Sequence, residues 1–85
     1  MENSEMTDRL RDLLTQITKR LVDNPEQVEI SANIGATVMV FEIAVVGTDL
    51  GKIIGKRGRT IEAIRTIMMS AAGKIGKRVY VEVKD

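Results

Sequence analysis

Near the middle of the chain, Gly51-Lys52-Ile53-Ile54-Gly55-Lys56-Arg57-Gly58-Arg59-Thr60-Ile61 sets two glycines three positions apart around two cations, behind an apolar pair. Glycine admits backbone angles closed to other residues and leaves room for a sugar-phosphate chain to lie against the main chain. Gly58 stands where a helical pattern begins, so unpaired amide hydrogens and the positive end of a helix dipole can meet an anionic oxygen there. Lys56 and Arg57 add full charges at the tip. The chemistry this implies is recognition of phosphate. Two nucleotide-binding patterns fail on spacing: a P-loop needs a glycine six positions before its lysine, where Leu50 stands before Lys56, and the dinucleotide fingerprint needs a glycine at Ile53. A mononucleotide enzyme is therefore disfavoured. The residues alone also allow a plainer reading, a tight turn between two helices with solvated cations.

A net charge of +1 conceals a segregation along the chain. Residues 1–50 carry four cations against nine anions, whereas 51–78 carry eight cations against Glu62 alone. A basic face beside an acidic remainder lets a nearly neutral protein attract polyanions at one place, although solvated helix and loop cations fit the charge equally. There is no cysteine and no histidine. Disulfides, thiolate chemistry, the usual general base near neutral pH and the commonest metal ligand are thus excluded, and neither an enzyme, a metal, a cofactor nor a small-molecule substrate is expected. The 85 residues read as one domain, 1–85. With no apolar run approaching the roughly 20 residues that span a bilayer, and no basic-then-apolar leader, the expectation is a cytoplasmic protein with no membrane partner.

The elements that must position the glycine-flanked turn follow from periodicity. Met6, Leu10, Leu13, Leu14, Ile17 and Leu21 lay one apolar stripe along a helix over 4–22, with Ser4 or Thr7 as its cap and Asp23-Asn24-Pro25 as its end. Val28 to Ala32 alternates, Ile34-Gly35-Ala36 turns, and Thr37 to Val46 forms a second strand apolar on both faces, so it is central in its sheet or covered by a ligand or partner. Thr48-Asp49 offers an N-cap to a short helix ending before the turn. A longer helix from Arg59 places Ile61, Ile64, Ile67, Met68, Ala71 and Ala72 on one side and stops at Gly73. Arg78 to Lys84 alternates as a last strand with its valines inward. The sum is one α+β unit, ordered α-β-β-α-α-β, with helices on one face of a three-stranded sheet.

The segment Ile53 to Ile61 resembles the signature of KH domains, in which a GXXG loop between two helices clamps single-stranded nucleic acid. The element order resembles the type II form of that fold. Leu21-Val22-Asp23-Asn24-Pro25-Glu26, Asp49-Leu50-Gly51-Lys52, Glu62-Ala63-Ile64-Arg65-Thr66 and the valine-rich end extend the likeness over the whole chain, which is similar to the small stand-alone bacterial KH proteins called KhpA-like. That resemblance implies that Gly55, Lys56, Arg57 and Gly58 form the clamp, and that Ile54 and Ile61 pack inward. Ile53 and one face of Thr37 to Val46 would floor an apolar groove, while Lys52, Arg59 and Arg65 would extend the electrostatic path. It also implies single-stranded RNA as partner, a homodimer or a complex with another RNA-binding protein, and a role in post-transcriptional regulation or RNA chaperoning. Phe41 and Tyr80 are the only aromatic rings, so stacking worth about 1–3 kcal/mol per base is scarce and weak, loosely selective affinity is expected. The competing expectation is a protein-interaction or dimerisation module on a KH scaffold.

Overall fold

The computed structural model describes the backbone of residues 2–84 and the side chains of residues 5–73 and 75–84. The apolar stripe winds into α1 (Glu2–Leu21) and buries Leu10 and Leu14. The helix is already formed at Glu2, so its start lies before Thr7, and the side chain of Ser4 lies outside the described residues. Thr18 is fully buried beside the leucines, which it can be because its hydroxyl donates to the Leu14 carbonyl at 2.8 Å. A 3-10 turn, Pro25–Gln27, carries the chain from α1 to the sheet.

β1 (Glu29–Ile34) and β2 (Val38–Ala44) form an antiparallel hairpin in which Glu29 faces Ala44 and Ile34 faces Met39. Its turn is closed by the Gly35 amide on the Val38 carbonyl at 2.7 Å. β3 (Arg78–Val83) runs parallel to β2 on the other side, with Val38 opposite Arg78 and Ile43 opposite Val83. β2 is thus the central strand, which explains why both its faces read as apolar. Met39, Phe41 and Ile43 are fully buried under the helices with Val79 and Val81 beside them. Val38, Val40, Glu42 and Ala44 lie half-buried on the opposite face, flanked by the exposed Ser31, Asn33, Tyr80 and Glu82.

Between β2 and β3 come the short α2 (Leu50–Ile54) and the long α3 (Arg59–Ala72), giving the order α-β-β-α-α-β of the type II KH fold. α3 buries Ile61, Ile64, Met68 and Ala72, and α2 contributes Ile53, so one core joins both helices to the inner sheet face and to α1. Gly73 does not end α3 by a left-handed step: its φ is −58°, the chain continues as a 3-10 turn to Ile75, and the left-handed residue is Gly76 at φ 70°. Ile67 also departs from expectation, being 46% exposed rather than on the buried side. Among the described residues no helix is long and apolar enough to cross a membrane.

Phe41 is the largest of the fully buried side chains and sits at the centre of the middle strand. Phe41→Ala is expected to remove about 3–5 kcal/mol, a large part of the ~5–15 kcal/mol that holds an ordinary domain together. Urea unfolding followed by circular dichroism reads this as a collapse of the transition midpoint.

Candidate nucleic-acid interface

The Gly55–Gly58 turn is built from backbone that only special residues tolerate. Gly55 has φ 76° and ψ 171°, a region essentially reserved for glycine, and Gly58 has φ 75° and ψ 13°. A Cβ on Gly55 would stand 2.6 Å from the Thr60 Cβ and 2.8 Å from its nitrogen, with the Thr60 hydroxyl closer still. Gly58 faces open space, so its requirement is conformational alone. Between them Arg57 is itself left-handed at φ 58°, a strain of about 1–2 kcal/mol for a residue with a side chain. The turn is held by the Gly55 amide on the Gly51 carbonyl at 2.8 Å and the Gly58 amide on the Gly55 carbonyl at 3.1 Å. Lys56 and Arg57 open this 3-10 turn, and the first amides of a helical turn have no acceptor inside it.

Asp49 anchors the N-terminal side of this assembly. Instead of capping α2 as the sequence led one to expect, its carboxylate turns to the end of α1. It accepts the Asp23 amide at 3.2 Å, the Asn24 amide at 3.0 Å and the Asn24 side-chain Nδ2 at 3.1 Å, while being only 1% exposed. Burial pushes the carboxyl up. The Asn24 side chain, the Asp23 and Asn24 amides and the Lys52 ammonium act the other way and together hold it below its ordinary value of 3.8. Lys52 also pairs with Asp23 at 3.3 Å, so it tightens the same junction rather than standing free.

The structure divides the predicted contact residues. Lys56, Arg57 and Arg59 are exposed, and among the described residues none of the three forms an ion pair. Arg65 is held instead: its Nε donates to the Val81 carbonyl at 3.0 Å and its Nη1 to Glu62 Oε2 at 2.6 Å. Ile53 is fully buried in the core and Ile54 only half-buried, so Ile53 cannot floor a groove and Ile54 is not the inward-packed residue expected, while Ile61 is buried as expected. On β2, Met39, Phe41 and Ile43 are sealed under the helices, and the space above Val40 is ringed by Ser31, Asn33, Glu42 and Glu82, a poor surface for a polyanion. Two clefts that adjoin α3 lie along the outer side of β3. One of about 360 Å³ is lined by Met69, Lys77, Arg78, Val79 and Tyr80, and one of about 170 Å³ by Arg65, Met69, Val79, Tyr80, Val81 and Glu82. Met69 is 58% and Tyr80 47% exposed there. Strand parity in the sequence marks Tyr80 as outward, but nothing local tells that β3 is an edge strand, and the role of Asp49 depends on a partner 25 residues away.

Two measurements check this architecture. Gly58→Ala should cost about 1–2 kcal/mol, whereas Gly55→Ala adds steric overlap and should cost about 2–5 kcal/mol, read by thermal or urea unfolding. Because the folded carboxyl of Asp49 is depressed, its contribution is present above the unfolded value near 3.8 and is lost as pH falls through the lower folded value. Wild type should therefore lose stability on acidification below about pH 4, and Asp49→Asn, less stable at neutral pH, should lack that share of the acid dependence.

A family model described as KhpA/KhpB, KH domain matches residues 11–83. The RNA-binding protein KhpA of Chlamydia caviae is 43% identical over 76 residues, 89% of this chain and 97% of that protein. Those of Clostridium acetobutylicum (45% over 74 residues, 87% and 99%) and Aquifex aeolicus (42% over 76 residues, 89% and 96%) are similarly related. Core, turn and strand order agree with this relationship: the chain belongs to the KhpA/KhpB KH-domain family.

Proposed function

We propose that this protein binds single-stranded RNA in the cytoplasm without catalysing a reaction, its Gly55–Gly58 turn gripping the backbone and the cleft between α3 and β3 receiving the bases. The observation that carries the reading is the turn itself: Lys56 and Arg57 stand exposed and free of carboxylate partners among the described residues, between two glycines whose positive φ the turn requires. The turn leads directly into α3, whose N-terminal amides and dipole favour an anionic oxygen. Arg59 extends the positive surface by one residue into the helix. Relatives named RNA-binding proteins support RNA as the polyanion.

A clamp of this size covers about four nucleotides, and one such site gives modest affinity. Self-association, or pairing with a second RNA-binding protein, would raise the effective concentration of clamps along a transcript. Ile67 lies exposed on α3 outside both clefts beside β3, which leaves apolar surface for such a contact. A post-transcriptional regulator or RNA chaperone is the cellular role that fits a small, weakly selective, multivalent binder.

Reversing the charge at the tip with Lys56→Asp and Arg57→Asp should abolish binding of short single-stranded RNAs while circular dichroism and the unfolding midpoint stay near wild type. Unaltered RNA affinity would overturn the clamp and leave the protein-interaction reading. For wild type, log affinity should fall with log salt at about −0.7 per phosphate neutralised, hence near −2 for about three contacts. A flat titration contradicts backbone gripping.

A further inference from the structure

We propose that the free edge of β1 docks an extended basic segment of another protein, which joins the sheet as a fourth strand with its alternate, apolar side chains beside Ile30, Ala32 and Ile34. The inference stands apart from the RNA-binding reading, because β1 and the cleft beside β3 lie at opposite edges of the sheet.

The ladder between β1 and β2 fixes which main-chain groups are free. The Gly35 amide donates to the Val38 carbonyl at 2.7 Å, and that pair continues the register in which Glu29, Ser31 and Asn33 face Ala44, Glu42 and Val40. Hydrogen-bonded pairs alternate along an antiparallel ladder, so the odd-numbered residues of β1 bond to β2, and Ile30, Ala32 and Ile34 turn their amides and carbonyls away from it. Three donors and three acceptors thus line one edge. Among the described residues no side chain hydrogen-bonds to them. The opposite edge differs, since the Val81 carbonyl on β3 accepts Arg65 Nε at 3.0 Å and α3 packs along that strand.

Sheet edges are ordinarily guarded by lysine, proline, a bulge or a charge on the buried face. β1 has none of these: it reads Glu29-Ile30-Ser31-Ala32-Asn33-Ile34, it pairs with β2 without interruption, and its one charge stands exposed at its start. Ile30 and Ala32 pack half-buried against the core and Ile34 is 45% exposed, so the inner row offers an apolar shelf that an added strand extends.

Charge selects the occupant. Residues 24–46 hold Glu26, Glu29 and Glu42 and no cation, and none of these three carboxylates forms an ion pair among the described residues. Glu29 on β1 and Glu42, opposite Ser31, share the outer face and lie one and two strand spacings from an added strand, hence about 5 and 10 Å away. Both distances fall within the ~10 Å over which charges act at 0.1 M salt. Nucleic acid is repelled there, and a second copy of this chain would set two acidic hairpins side by side. A strand with lysine or arginine between its apolar residues satisfies the main-chain groups, the apolar row and the carboxylates together.

The test titrates the full chain with an end-blocked heptapeptide of alternating lysine and valine, to about 1 mM, and follows amide hydrogen exchange residue by residue. Without peptide, exchange should be fast at Ile30, Ala32 and Ile34 and slow at Ser31 and Asn33. With peptide at about ten times its Kd, the three even-numbered amides should slow about 10-fold while the odd-numbered ones stay as they were. The same peptide with glutamate in place of lysine should bind about 10-fold more weakly, and Glu29→Lys combined with Glu42→Lys should remove that preference. Ala32→Pro deletes one outward amide and no ladder bond, and should abolish binding. For wild type, no slowing at about 1 mM, slowing that ignores residue parity, or equal affinity for the two peptides each overturns the inference, whatever the variants do to stability. Protection of the even-numbered amides that rises with protein concentration alone overturns it too, because a second copy then holds the edge.

Discussion

No side chain fits between Gly55 and Thr60, and the rest of the candidate interface depends on that closeness. Because α2 ends in a conformation only glycine adopts, the chain reverses within four residues and enters α3 with its two cations thrown outward. A larger residue at Gly55 would have to displace the first turn of α3 or open the end of α2. Either movement disturbs the spacing between the charged tip and the cleft behind it. Strain at Arg57 belongs to the same device: a left-handed residue with a long cationic side chain holds that charge at the turn's apex, and the surrounding hydrogen bonds sustain the strain.

The turn is only as well placed as the helices on either side of it. α2 is five residues long and could not hold its own position, so it is fixed at both ends by outside contacts. Ile53 plugs it into the core, and Asp49 just before it ties the chain to Asp23 and Asn24, just beyond α1, through three hydrogen bonds. A buried carboxylate is tolerable there because every contact is charge-assisted and Lys52 lies close by. α3 is fixed by Ile61, Ile64, Met68 and Ala72 against the inner sheet face. The neutral-looking total charge of the protein therefore has little bearing on the candidate site, where position decides which cations are available: Lys52 and Arg65 are engaged, and Lys56, Arg57 and Arg59 form no ion pair among the described residues.

Most of the fold could be read from periodicity because each element has a strong pattern of its own: the leucine stripe of α1, the doubly apolar β2, the alternating valines of β3. What could not be read depends on tertiary partners. The parity of β2 that meets the helices is settled only by which helix face lies above it. Ile53 and Ile54 are adjacent and chemically alike, so the direction of a single helical turn decides which is core. Asp49 has a good N-cap position by local rules, yet the amides of Asp23 and Asn24, just beyond α1, compete for its carboxylate and win. The glycines and cations of the turn were legible because their chemistry is local. The cleft was not, since it arises where an edge strand and a helix far apart in sequence come together.

The central claim is that nucleic acid meets this protein at the Gly55–Gly58 turn and along the α3 side of β3. Amide chemical-shift mapping of the wild-type protein titrated with a short single-stranded RNA tests it directly. The account predicts that the shifts concentrate at residues 55–59, at Arg65 and Met69, and along Val79 to Val81, leaving Val38, Val40 and Glu42 unmoved. Shifts confined to the outer face of β1 and β2, with the turn silent, would contradict it.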